Sequence, residues 1–167
     1  MMRKDEQIGC PAWLESLTTE LHLEVQEQAE QARESARHHD AIVAKSRVLW
    51  SSVKDKAKEA VSRLRIYGNT DRERQVGFAL VPGGFRLRVA RFPSVDISLT
   101  MEEAGHFIVV SETVTRKSSG SAESHTSSID IGLQGENITL ELDGQSLAGQ
   151  DAILDHAFRR VLFGAGG

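Results

Sequence analysis

Residues 12–67, AWLESLTTELHLEVQEQAEQARESARHHDAIVAKSRVLWSSVKDKAKEAVSRLRIY, contain no Gly and no Pro, and Glu, Gln, Ala, Lys and Arg dominate them. Good helix formers without a breaker predict helix throughout. Pro11 suits the first helical position, where its missing N–H costs nothing. Leu14, Leu17, Leu21, Val25, Ala29, Ala32 and Ala36 recur in steps of three and four. Val43, Trp50, Val53, Ala57, Ala60 and Leu64 follow, with Ile42, Leu49 and Val61 alongside. This spacing draws one apolar stripe. Its middle is lined only by alanines, which let a partner approach closely but bury little area.

Charge is divided along this segment. Glu15, Glu20, Glu24, Glu27, Glu30 and Glu34 fill the first half; Lys45, Arg47, Lys54, Lys56, Lys58, Arg63 and Arg65 fill the second, against Asp55 and Glu59. Folding back near His39 brings Glu34 beside Lys45, Glu24 beside Lys54 and Glu20 beside Lys58. Exposed pairs of this kind contribute only about 0–1 kcal/mol each, so they select register more than they stabilise. Two forms satisfy the pattern. One is an αα-hairpin turning at Arg37 to Asp40, with Asp40 as N-cap of its second helix. The other is a single helix of about 80 Å that pairs antiparallel with a second copy.

Beyond Gly68 the period changes. Gln75 to Val81 reads as a strand and Pro82-Gly83-Gly84 as a turn. Phe85, Leu87 and Val89 alternate with Arg86 and Arg88, and Val95, Ile97, Leu99 and Met101 alternate with Asp96, Ser98 and Thr100. His106 to Thr115 is the most apolar run and is placed centrally. Ile129, Ile131 and Leu133 lead through Gly135 into Ile138, Leu140 and Leu142, and Asp143-Gly144 closes the last strand. Short connections make this a six-stranded antiparallel meander. Lys117 to His125 reads as a polar connecting loop. After Asp151, the stripe Ile153, Leu154, Ala157, Phe158, Val161 and Leu162 predicts a helix packed on one sheet face. The fold class is therefore α+β: a flexible N-terminus (1–11), a helical segment (12–67), a sheet with its C-terminal helix (75–163) and a frayed tail (164–167).

Composition narrows function. The net charge of −4 argues against general nucleic-acid binding, which shows as a basic stripe. One cysteine, Cys10, excludes an internal disulfide and a Cys-based zinc cage. No run of about 18 apolar residues occurs and the N-terminus lacks an apolar core segment, so no membrane span or secretory signal is read and the cytoplasm is the expected compartment. His38-His39-Asp40 is the one metal-like cluster, but adjacent helical residues point about 100° apart and do not chelate from one face. No metal and no cofactor is expected.

Arg86 and Arg88 point the same way on one strand and are the candidate ligand-binding residues, for an acidic ligand or a partner's acidic segment. The competing reading has them neutralise Asp96, Asp130 and Glu141. Leu21, Val25, Ala29, Ala32 and Ala36, flanked by Glu20, Glu24, Glu34, Lys45, Lys54 and Lys58, form the candidate interface. The first functional expectation is a non-enzymatic assembly protein that forms a homodimer or binds another helical chain through this segment. The alternative is a carrier of a small molecule or lipid, walled by Trp50, Phe78, Phe85, Phe107 and Phe158. An enzyme using His106 with Glu112 or Asp96 comes third.

Overall fold

The computed structural model describes residues 11–67, 75–89, 93–116 and 120–164. The expectations for the N-terminus up to Cys10, for a helix stop at Gly68–Asp71 and for fraying at Gly166–Gly167 fall outside those residues. Helix α1 (Ala12–Tyr67) runs unbroken for 56 residues. It is helical through Arg37–Asp40, so the expected αα-hairpin turn does not form there. Contacts divide the chain inside this helix, into Met1–Asp40 and Ala41–Gly167.

In the second unit, strands β1 (Val76–Val81), β2 (Gly84–Val89), β3 (Ser94–Met101), β4 (Phe107–Thr115), β5 (Ala122–Gln134), β6 (Asn137–Leu142) and β7 (Gln145–Leu147) precede helix α2 (Gln150–Phe163). The strands form one antiparallel sheet of seven in chain order, a meander with β4 at its centre. The count corrects the expected six. Asp143 and Gly144 both take positive φ, 50° and 79°. Two left-handed residues make a tight hairpin turn whose twist suits antiparallel strands. Asp143-Gly144 therefore opens a seventh strand, with Leu142 opposite Gln145. The segment expected as a loop up to His125 is also shorter: β5 starts at Ala122, opposite Thr115, and its Ser/Thr-rich start pairs with β4.

The buried side of the sheet carries Phe85, Leu87, Val95, Ile97, Leu99, Ile108, Val110, Ile129, Ile131 and Leu140. A sheet with one aliphatic face needs a helical cover. Ile42, Trp50, Val53, Ala57 and Val61 of α1 share one core with Ile153, Leu154, Ala157 and Val161 of α2. Three hairpin turns meet α1. The Trp50 indole Nε1 donates to the Gly83 carbonyl at 2.9 Å, and the Lys45 ammonium donates to the Glu136 carbonyl. At the β3–β4 turn, an added Cβ on Gly105 would meet Ser46 Oγ at 2.7 Å. Trp50 stacks on Phe85 and Phe85 on Phe78, each with ring centroids 5.7 Å apart. Lys56 Nζ reaches Asp151 Oδ1 at 2.7 Å and ties the start of α2 to α1.

Gly84 and Gly77 lie on the paired strands β2 and β1 but in different space. A Cβ on Gly84 would sit 1.8 Å from the Leu99 carbonyl oxygen, whereas one on Gly77 would meet only Arg88 O at 3.6 Å. Backbone cannot swing aside as a side chain can. Gly84→Ala is expected to destabilise by about 1–3 kcal/mol or more, as overpacking does, and Gly77→Ala to stay within about 0.5 kcal/mol. Chemical denaturation of both variants checks the contrast.

Candidate functional site

Every residue from 12 to 40 is exposed. This includes the stripe side chains, with Leu14 at 40%, Leu17 at 52%, Leu21 at 59% and Val25 at 55%, and Trp13 beside them at 65%. Ala29, Ala32 and Ala36 complete the stripe and are exposed too, as are Glu20, Glu24 and Glu34. Contiguous apolar surface of this kind marks contact sites on soluble proteins.

The expected cationic partners lie in the other unit. Lys45 is half-buried and bonded to Glu136, Lys54 is half-buried, and Lys58 is exposed. The fold-back register also sets Leu14, Leu17, Leu21, Val25 and Ala36 opposite Leu64, Val61, Ala57, Val53 and Ile42. All five of the latter pack in or against the core. The sheet thus occupies the apolar half of the seam that this register needs.

On the open face of the sheet, Arg86 Nε lies 3.1 Å from Asp96 Oδ1, and Asp96 sits directly opposite Arg88 in the strand register. Asp130 and Glu141 face one another on β5 and β6. Three strand spacings, about 14 Å, separate β5 from β2. Of the three carboxylates considered for neutralising the arginines, Asp96 alone is placed to do so. The aromatics expected to wall a carrier pocket include the stacked Trp50, Phe85 and Phe78, which pack ring on ring. His106 precedes β4, and Glu112 lies six residues further along the same extended chain, about 20 Å away. Glu112 faces Ile97 and His125 instead.

A polar cluster that sequence reasoning missed joins α2 to the central strand. Arg160 Nε and Nη2 donate to both oxygens of Glu112 at 2.7–2.9 Å, with the Glu112 side chain 8% exposed and that of Arg160 30%. Glu112 shares a sheet face with Ile108 and Val110, so its charge enters the core side and requires a cation. That alternation was the available signal. His156, half-buried beside the pair, has its pKa lowered from the ordinary value near 6.5 by burial first and by the Arg160 charge second; Glu112, Asp143 and Asp155 pull it back in part.

Among the described residues, no group of His, Cys, Asp and Glu is arranged to hold a metal ion, and no helix is long and apolar enough to cross a membrane. No family model, curated protein or solved structure matches the chain.

Truncating one partner of a buried ion pair strands the other charge, so Arg160→Met is expected to cost about 3–5 kcal/mol, while Arg160→Met with Glu112→Leu recovers most of that loss. Urea titrations of the single and double variants measure it. His156 stays neutral in the fold more readily than in the unfolded chain. Its contribution to stability is full above about pH 6.5 and is lost as pH falls from there toward its lowered folded value. Melting temperatures from pH 8 to pH 5 should therefore drop less in His156→Asn than in the wild type.

Proposed function

We propose that this chain is a non-enzymatic interaction protein that assembles through residues 12–40 of α1, with a second copy of itself or another helical chain laid along the stripe. The observation that carries this reading is the run Leu14, Leu17, Leu21 and Val25, each at least 40% exposed on one side of a continuous helix. A fully buried leucine contributes about 1.5–3 kcal/mol relative to an exposed one, so a helical cover over this run has a large driving force. An amphipathic helix laid against another is a recurrent recognition mode, read through anchors at three- and four-residue spacing. Alanines further along the stripe allow close backbone approach without filling the gap themselves.

Replacing Leu17 and Leu21 together by Glu removes the driving force at side chains that the core does not use. The double variant is expected to lose association by at least tenfold, since each 1.4 kcal/mol changes affinity tenfold. Its urea midpoint should match that of the wild type at concentrations where both are monomeric. Light scattering on a size-exclusion column reads the first and denaturation the second. Unchanged association would sink the proposal.

A further inference from the structure

We infer that the occupant of the stripe is the same stripe of a second copy, running antiparallel and centred on Val25; this rests on the assembly reading above and specifies its partner. The first reason is size. The stripe tapers from Leu14, Leu17 and Leu21 through Val25 to Ala29, Ala32 and Ala36. Interhelical distance follows the side chains at the contact, spanning about 8–10 Å. A parallel copy would meet leucine with leucine at one end and alanine with alanine at the other, and the axes would splay. An antiparallel copy centred on Val25 sets Leu14 against the second copy's Ala36, Leu17 beside its Ala32 and Leu21 against its Ala29. Each leucine meets an alanine over about 33 Å of helix, with Val25 against its own counterpart at the centre, which keeps the spacing even.

The second reason is charge. Residues 12–40 hold Glu15, Glu20, Glu24, Glu27, Glu30, Glu34 and Asp40 against Arg33 and Arg37, the only lysine or arginine side chains there. At about 100° per residue, Glu20, Glu27, Glu30 and Glu34 point away from the stripe, where solvent and salt screen them. Glu15 and Arg33 share one flank, whereas Arg37, like Glu20, points away from the stripe. A two-fold axis through Val25 brings each flank against its own copy, so Glu15 lies beside the second copy's Arg33, twice over. Glu24 lies on the opposite flank near the axis and faces its own counterpart, a cost that the same geometry predicts.

The third reason is exclusion. The register that pairs the first half of α1 with the second half needs Ile42, Val53, Ala57 and Val61, and these lie in the core under the sheet.

The test uses the full-length chain. In the inferred register Glu15→Arg should weaken the dimer by roughly tenfold, because two attractive contacts become repulsive. Arg33→Glu should do the same, and the two variants mixed should form a heterodimer tighter than either homodimer. Glu24→Gln should tighten the wild-type dimer. Native mass spectrometry of mass-tagged copies reads every species, and matched circular dichroism spectra confirm that each variant is folded. A dimer indifferent to Glu15→Arg but broken by Glu20→Lys, Glu24→Lys and Glu34→Lys together would overturn the Val25 register and leave self-assembly standing. A wild type that stays monomeric at about 100 μM overturns the inference. Association of that monomer with another helical chain would then leave only the broader reading.

Discussion

The aliphatic face of the sheet has to be covered, and residues 42–61 of α1 cover it together with α2. Much else follows from that constraint. It determines which face of α1 turns inward and sets Trp50, Ser46 and Lys45 at three hairpin turns on one end of the sheet. It also determines what is left over. The apolar residues that could have paired with Leu14 through Ala36 in a fold-back are committed to the core, so the two halves of one helix meet different demands.

Within the second unit, Ile153, Leu154, Ala157 and Val161 pack α2 into the core. The Arg160–Glu112 pair adds a directional contact to this packing. It joins the last turn of α2 to the middle strand with three hydrogen bonds. Lys56–Asp151 ties the first turn of α2 to α1. The first contact buries the Glu112 carboxylate, which requires its partner, while Arg160 stays half-buried; the second is exposed and contributes little beyond orientation.

Much of this architecture was legible because periodicity reports which way side chains face. Alternation in Phe85–Val89 and Val95–Met101 located β2 and β3, and the apolar run after His106 located β4 at the centre. Legibility failed where composition and pairing disagree. The start of β5 looks like a loop because Ser and Glu are common there, yet the matching length of β4 recruits it into the ladder. Gln145–Leu147 is too short and polar to register as a strand, although Asp143-Gly144 is a strong hairpin signal. Among candidate site residues, Arg86 was rightly set near Asp96, but Asp130 and Glu141 could be excluded only once strand order was known. Arg160 could not be paired with Glu112 from the sequence, because nothing in α2 by itself shows which strand it overlies.

The stripe of α1 illustrates the same limit more sharply. Spacing in threes and fours says that a helix has an apolar side and is silent about what lies against it. Residue volume carries the further information. Ile42, Trp50, Val53 and Val61 are bulky and mutually irregular, as suits a twisted sheet whose surface has hills and gaps. The apolar residues of the stripe from Leu14 to Ala36 change in one direction, from leucine through valine to alanine. A sheet or a globular groove has no reason to select a monotonic taper, whereas a rigid rod with the opposite taper does. In the pairing inferred above, that rod is a second copy of the chain turned end for end.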